Sequence, residues 1–318
     1  MRDTAAPAAR ALATFAASRS QERTAPSSAP SAARARPGET QRDALTLVEV
    51  DVTDGTAVKA ALGGRHATAV VSCLASRTGA AQDSERIEYA ANHHLLAWAL
   101  AHDATQFTLL SAICVQKPRL AFQYEKLRFE KELIASELEH AIVRPTAFFK
   151  SLSGQLERIR AGRPFLVFGQ GVLTRCKPIA EADLARYLRR TLEDSTLRGV
   201  LPIGGPGPAL SPRDQAELLA DLLGHPVPLR SVSPALLSIV ASVLDVAGTF
   251  SQRLRDKAEF ARIGHYYATE SMLVWDAAAQ AYSADQTPEY GAITLRESYA
   301  AQLAGEDHQD IGDHAMFS

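Results

Sequence analysis

The chain has 318 residues, of which 46% are hydrophobic and 22% are charged, and its formal net charge is -2. This balance is typical of a globular protein with one large core or two modest ones, and it lacks the basic surface of a nucleic-acid binder. The three cysteines, Cys73, Cys114 and Cys176, are too widely spaced for a disulfide framework or a paired-cysteine zinc site. We therefore expect a reducing compartment, no nucleic-acid partner and no metal.

Residues 1–40 consist mostly of Ala, Arg, Ser, Pro and Thr, and no hydrophobic period holds in them. The stretch "QERTAPSSAPSAARARPGE" has the composition of a flexible segment that cannot bury enough apolar surface to order itself. It is also rich in Ser and Arg and poor in acids, as plastid transit peptides are, so composition alone leaves the localisation open. We treat residues 1–40 as a flexible or remnant N-terminal segment.

A regular alternation of predicted strands and helices begins at Leu45. "LTLVEVDVTD" predicts a strand that ends at Asp51, and "TAVVSCLAS" predicts a second strand after a short helix. A helix from about Glu85 to His102, a third strand "QFTLLSAIC", a helix "FQYEKLRFEKEL" and a fourth strand "HAIVRPTAF" follow. This alternation predicts an α/β fold with a Rossmann-like parallel sheet and helices on both faces.

Ligands of such sheets bind beyond the carboxyl ends of the strands. The candidate cofactor-binding residues at that edge are Asp51, Val52, Cys73, Leu74, Ala75, Ser111, Pro145 and Thr146. Asp51 has an alternative role as a turn residue, because Thr53 and Asp54 offer caps beside it.

The pattern loosens after Thr146, where we predict a helix from Glu181, a strand "GVLPIGG", and helices from about Ser211 and Pro234. We expect this part to cover the cleft and to set substrate specificity. Its longest apolar run, "PALLSIVASVLDVAG", is broken by an aspartate and is shorter than the ~20 residues that cross a membrane. This run is either a buried helix or a surface that contacts lipid or an apolar ligand.

The helix "FQYEKLRFEKEL" contains both a tyrosine and a lysine. Tyr124 and Lys126 are two residues apart and point about 200° apart on a helix, so they cannot share a site. The position four residues before Lys126 is Phe122. The helix therefore keeps a lysine without the tyrosine that would act beside it, and the alternative role of Lys126 is a solvated ion pair with Glu130.

Six runs carry a family resemblance: "VVSCLASRTG", "LLSAICVQKP", "FQYEKLRFEKEL", "IVRPTAFFKSLSGQ", "CKPIAEADLA" and "VLPIGGPGPALSP". In order and spacing they resemble the NADPH-dependent divinyl chlorophyllide 8-vinyl reductases, from about Leu45 to "ESMLVWD" and "TPEYG" near the C-terminus. The resemblance implies an atypical short-chain dehydrogenase fold, NADPH as cofactor, and reduction of a vinyl group on a tetrapyrrole pigment to ethyl. It also implies a role in chlorophyll or bacteriochlorophyll synthesis.

The resemblance implies that Lys126 is the catalytic residue and that Asp51 lies near the adenine. A lysine can hold the nicotinamide ribose and stabilise the negative charge that hydride transfer leaves on the macrocycle. The proton donor stays open among Lys126, Ser111, Tyr124 and water. We expect residues 41–150 to form the NADP-binding core and residues 151–318 to cover the substrate, interleaved with that core. The aromatic residues expected to face the pigment are Phe148, Phe149, Phe165 and Phe168.

One departure concerns the glycine-rich turn with which the family begins. Nothing like it precedes Leu45, and glycine is absent from residues 1–37. We therefore expect the first strand and its turn to be missing, with "PAARALATFAASRS" as the end of the first helix and Arg19 accepting the 2′-phosphate of NADPH.

Two alternative functions follow from this departure and from the missing tyrosine. One is an NADPH-dependent reductase of another aromatic substrate, and the other is a non-catalytic protein that binds NAD(P) or a pigment. We expect the protein in the cytoplasm of a phototrophic bacterium, with peripheral membrane contact, and the plastid is the alternative. The sequence leaves the oligomeric state open.

Overall fold

The computed structural model describes residues 11–16, 45–248 and 251–306. The strands, in chain order, are β1 (Ala11–Ala16), β2 (Leu45–Val50), β3 (Ala69–Ser72), β4 (Gln106–Leu110), β5 (Glu139–Pro145), β6 (Phe165–Phe168), β7 (Gly199–Ile203), β8 (Leu229–Val232), β9 (Val274–Asp276) and β10 (Ala281–Ser283). The helices are α1 (Gly55–Leu62), α2 (Ala81–Ser84), α3 (Asn92–Ala101), α4 (Ala121–Ala135), α5 (Phe149–Leu152), α6 (Leu156–Arg160), α7 (Glu181–Glu193), α8 (Pro212–Leu223), α9 (Pro234–Gly248), α10 (Gln252–Thr269) and α11 (Leu295–Ala304).

The centre of the fold is a four-stranded parallel sheet with the order β3-β4-β5-β7. Its strands are short apolar runs, and Ala141, Ile142 and Val143 of β5 are completely buried because helices cover both faces. A cluster that includes Trp98 and Phe129 packs α3 and α4 against one face. A second cluster on Val143 joins α7 to β5 and β7. The predicted α/β fold is confirmed.

The strand predicted at "LTLVEV" forms, but it lies outside the parallel sheet. β2 pairs with β1 in an antiparallel ribbon, in which Ala11 faces Val50 and Ala16 faces Leu45. The prediction that "PAARALATFAASRS" ends a helix is therefore wrong over Ala11–Ala16. The helix propensity of alanine is a weak preference, and backbone pairing with a neighbouring strand overrides it. Arg19 lies outside the described residues.

The helices predicted from Glu181, Ser211 and Pro234 form as α7, α8 and α9. β7 completes the parallel sheet from the second half of the chain, and β6 and β8 form a separate parallel pair. A third cluster, which includes Phe149, Phe165, Leu219 and Tyr299, lies in this second half.

Helix α9 corresponds to the longest apolar run of the sequence. Leu236, Ile239, Val240 and Val243 on this helix are between 39% and 63% exposed, so the interpretation as a fully buried helix is wrong. Within the described ranges, no helix has the length and apolar character needed to span a membrane.

Candidate active site

The carboxyl ends of the four parallel strands form one edge, as the topology requires. Cys73 follows β3, Ser111 follows β4, and Thr146 follows β5, so the fold brings these three predicted residues to one side of the molecule. Asp51 and Val52 follow the antiparallel ribbon instead.

Lys126 is buried at this edge and forms an ion pair. Its ammonium Nζ lies 2.7 Å from Oε2 of Glu88, and the two side chains are 9% and 2% exposed. The other oxygen of Glu88 accepts hydrogen bonds from the backbone N–H and the hydroxyl of Ser76, at 2.8 and 2.9 Å. The alternative in which Lys126 is a solvated lysine paired with Glu130 is therefore wrong.

Glu88 is held in a widened helical turn. The segment Glu85–Ala91, between α2 and α3, is π-helical, a feature often found at functional sites. The side-chain amide of Asn92 donates to the carbonyls of Ile87 and Glu88, and its oxygen accepts from Ser72 at the end of β3. These bonds fix the turn, and with it the carboxylate, against the sheet edge.

Ser111 belongs to a second buried cluster. Its hydroxyl donates to Oε1 of Glu130 at 2.5 Å, and the Arg144 guanidinium donates to both oxygens of the same carboxylate. The cluster ties α4 to β5 and to the end of β4. The Ser111 proton is committed to Glu130, so Ser111 is poorly placed to supply a proton to a substrate.

Two cysteines lie close to the Lys126 charge. Burial raises the pKa of the Cys73 thiol, and Lys126 opposes that shift. Burial also raises the pKa of the Cys114 thiol, and Gln123 and Lys126 oppose it. The ammonium therefore lies beside the ends of β3 and β4, where a cation fits the ribose and developing charge of a nicotinamide reaction.

Asp51 completes its own turn. Its Oδ1 accepts hydrogen bonds from the hydroxyl and the backbone N–H of Thr53, at 2.7 and 2.9 Å, and these bonds lower the pKa of Asp51. This geometry matches the alternative role as a turn residue. The next residue, Val52, is completely buried.

The remaining edge residues differ in their access to a ligand. Leu74 packs in part against the core, and Ala75 is exposed. Pro145 and Thr146 are buried, and the Thr146 hydroxyl donates to the carbonyl of Lys177. Ala75 is thus the more accessible member of this group.

The four phenylalanines do not form one surface. Phe149 and Phe165 are each 2% exposed and belong to the same buried cluster as Tyr299, so the prediction that they face a pigment is wrong. Their rings are already covered by protein. Phe148 and Phe168 are half-buried and keep part of their surface.

Sequence reasoning missed several residues of this region. Glu88 could have been found, because it lies at helical spacing from Asn92 and Leu95 on the buried face of its helical segment, and a buried acid needs a partner. Tyr266 and Tyr267 carry no such signal, since they reach the edge from α10, far along the chain. Within residues 11–16, 45–248 and 251–306, no group of three His, Cys, Asp or Glu residues could hold a metal ion.

Residues 8–195 match a family model described as NAD(P)H-binding, so the cofactor is a nicotinamide dinucleotide. The chain is 46% identical over 255 residues to the divinyl chlorophyllide a 8-vinyl-reductase, chloroplastic, of Cucumis sativus, covering 78% of this chain and 61% of that enzyme. It is 44% identical over 281 residues to the enzyme of the same name from Oryza sativa subsp. indica, covering 85% of this chain and 69% of that enzyme.

The fold is similar to that of the NADPH-dependent quinone oxidoreductase QOR2 of Escherichia coli, crystallised with NADPH. The TM-score is 0.53 at 18% identity, with 80% of this chain and 82% of that chain covered. A likeness at this level supports the Rossmann-like architecture alone.

Four curated plant relatives are all named chloroplastic. These names contradict the expectation of a cytoplasmic protein in a phototrophic bacterium. The composition of residues 1–40 had left the choice between the two settings open.

Proposed function

Since the chain belongs to the divinyl chlorophyllide a 8-vinyl-reductase family, we propose that it reduces the 8-vinyl group of a divinyl chlorophyllide to ethyl, with NADPH as reductant. The observation that carries the proposal is the identity of 46% and 44% to two enzymes of that name. The chain spans 61% of the length of the first and 69% of the second. The names of these relatives also favour a plastid, where chlorophyll is made.

We assign Lys126 the central role. The bound nicotinamide supplies hydride, and the flat macrocycle takes up the resulting negative charge. The Lys126 ammonium would hold the ribose hydroxyls and stabilise that charge, because it is buried and oriented by Glu88. Cys73 and Ala75, beside the end of β3, leave room for the cofactor to approach.

The carboxyl edge also gives the substrate a place to bind. Phe148 is half-buried and follows β5 at this edge, and Phe168, at the end of β6, is also half-buried; an aromatic ring can pack against a planar pigment. The preference for NADPH over NADH rests on the family, and Arg19, the residue predicted to bind the 2′-phosphate, lies outside the described residues.

The test is to incubate the purified protein with divinyl chlorophyllide and NADPH and to follow the Soret band. We expect a shift to shorter wavelength, because a vinyl group leaves conjugation, and a slower shift with NADH at the same concentration. A sample without nucleotide is the control. If the pigment spectrum stays unchanged with both nucleotides, the proposed function is wrong.

A further inference from the structure

Reduction of a vinyl group needs a proton as well as a hydride, and the three side chains named from sequence are poorly placed to give it. The Ser111 hydroxyl donates to Glu130, and the Lys126 ammonium donates to Glu88. Tyr124 is 55% exposed and its hydroxyl donates to the carbonyl of Pro118 at 3.0 Å. Water or another side chain must therefore supply the proton.

Helix α10 brings a different phenol to the edge. The Tyr266 hydroxyl donates to the carbonyls of Cys114 and Lys117, at 2.9 and 3.0 Å, which fixes this end of the helix over the segment after β4. The next side chain, Tyr267, stands edge-on to Tyr266 with 5.7 Å between the ring centroids. Its hydroxyl hydrogen-bonds to the Cys114 thiol, which also lies in the field of Lys126.

The two tyrosines differ in whether their hydroxyls are available to a ligand. Tyr266 is 2% exposed and both of its acceptors are backbone carbonyls, so it is a structural residue. Tyr267 is 41% exposed, and its partner is a thiol, which is a weak acceptor. A ligand at the edge can therefore replace that hydrogen bond at low cost.

The packing of α10 explains why the Tyr267 phenol can take the role of the tyrosine that is missing from α4. Glu259 of α10 accepts a hydrogen bond from the backbone N–H of Ala121 at 3.1 Å, at the start of α4. Ile263, one turn further along, packs against Gly79 close to Phe122. Phe122 occupies the position of the missing tyrosine, and α10 lies against it.

We propose that Tyr267 is the general acid of the vinyl reduction, a role that rests on the proposed function above. The terminal vinyl carbon takes a hydride from NADPH, so a C–H bond of the nicotinamide breaks, a C–H bond of the pigment forms, and NADPH is oxidised. The inner vinyl carbon takes the phenolic proton as the O–H bond of Tyr267 breaks. Water returns a proton to the phenolate, and the sum is addition of two hydrogens to the double bond.

The electrostatic environment keeps the Tyr267 phenol protonated. Although 41% of the Tyr267 surface is exposed, protein atoms surround its hydroxyl. This burial, the Cys114 thiol and, to a smaller extent, Tyr266 and Glu88 raise the pKa of Tyr267 well above its ordinary value. The phenol therefore keeps its proton at neutral pH. A raised pKa also makes it a weaker acid, so the assignment rests on the position of Tyr267 at the edge and not on its pKa.

The test compares Tyr267→Phe with Tyr124→Phe, since each removes one hydroxyl from a partly exposed ring. We expect Tyr267→Phe to lower kcat by about 10²- to 10⁴-fold, the usual contribution of a general acid. Pigment affinity, measured by quenching of pigment fluorescence without nucleotide, should stay within about twofold of wild type, since the hydroxyl acts on the transition state. Tyr124→Phe should keep wild-type kcat and affinity.

A third variant, Tyr267→His, covers the case in which Tyr267→Phe does not fold. Its imidazole is an acid with an ordinary pKa of about 6.5, so part of the activity should return below that pH and decline above it. A purely structural role of Tyr267 would not give this pH profile.

The proposal is overturned if Tyr267→Phe keeps wild-type kcat, if it loses pigment binding together with activity, or if Tyr267→His shows the wild-type pH profile. Failure of the proposed function is a separate result, because the wild-type protein itself would then leave the pigment unreduced.

Discussion

Two buried carboxylates, Glu88 at the sheet edge and Glu270 after α10, each hold a lysine, but their surroundings differ. Lys126 is the single cation on Glu88 among the described ion pairs. Glu270 accepts from Lys117 at 3.0 Å and from Arg119 at 2.9 Å, and also from a tyrosine hydroxyl. The first site leaves one compact positive group beside the ligand edge, and the second surrounds its carboxylate with donors.

The Glu270 cluster holds distant segments of the chain together. The Lys117 ammonium lies 4.0 Å from the centre of the Trp275 ring, and Tyr282 supplies the hydroxyl that binds Glu270. These contacts join the segment after β4 to the strands β9 and β10, far along the chain. We therefore expect the Glu88–Lys126 pair to control turnover and the Glu270 cluster to control stability.

The largest effect is expected for Lys126→Ala. Loss of the ammonium should lower kcat about 10³-fold, equivalent to about 4 kcal/mol of transition-state stabilisation. It should also lower the free energy of unfolding by about 3 to 5 kcal/mol, because Glu88 is left buried without its partner. Soret spectroscopy at saturating pigment and NADPH measures the first, and urea unfolding measures the second.

A double variant separates these two effects. Lys126→Met together with Glu88→Gln removes both charges and keeps similar side-chain volumes, so most of the stability should return while activity stays low. If either the single or the double variant reduced pigment at the wild-type rate, Lys126 would have no catalytic role.

The second expected effect is on stability, in Glu270→Gln. Lys117 and Arg119 lose their shared anion, but solvent screens these partly exposed cations, so we expect a loss of about 2 kcal/mol in the free energy of unfolding. The kcat of the folded protein should change little, because the cluster does not contact the proposed reacting groups and the Tyr266 hydroxyl still holds the end of α10 on the carbonyls of Cys114 and Lys117. A large fall in kcat with unchanged stability would reverse the comparison between the two carboxylates.

The pH dependence of the same variant sharpens this prediction. Burial alone would raise the pKa of Glu270, but hydrogen bonds from Tyr282 and Lys117 and the charge of Arg119 lower it below its ordinary value of 4.5. The stabilisation is therefore complete above pH 4.5 and is lost as the pH falls through the lower, folded-state pKa. Urea midpoints between pH 6 and pH 3 should show wild type losing its advantage over Glu270→Gln, and a constant difference would contradict the assignment.

The sequence predicted the sheet and most of its helices, because parallel strands read as short apolar runs between amphipathic helices. It placed Lys126 on the correct helix, since helical geometry is local, but assigned it the wrong alternative partner. Glu88 lies 38 residues away from Lys126, and the pairing depends on how two helices cross the sheet edge. The same limit applies to Tyr267, which only the packing of α10 brings near Cys114.

The phenylalanine predictions failed for a related reason. Composition marked Phe149 and Phe165 as aromatic residues of a cover, but periodicity does not tell a ring that faces a ligand from one that faces the core. Both rings pack among residues of α6, α8 and α11, whose positions are set by long-range contacts. The sequence therefore identified these residues as aromatic but gave no information on which way their rings point.

The smallest of these effects is expected for Gly79→Ala. This variant tests whether the position of α10 against Gly79 affects turnover at the sheet edge. Gly79 has φ of +67°, and an added Cβ would lie 2.6 Å from Cδ1 of Ile263. We expect a loss of about 1 kcal/mol in the free energy of unfolding, mainly from backbone strain, since the terminal methyl group of Ile263 can shift. Because Ile263 lies one turn before Tyr267, kcat should fall as well.

Two controls decide whether that fall comes from the contact. Gly154→Ala adds the same methyl group where nothing lies within 4 Å and should leave kcat unchanged. Adding Ile263→Val to Gly79→Ala removes the clashing methyl group, so kcat should recover while the strain of the left-handed backbone remains in the unfolding free energy. If kcat in Gly79→Ala equals the wild-type value, the position of α10 does not govern turnover, and the edge acts through Lys126 and Glu88 without it.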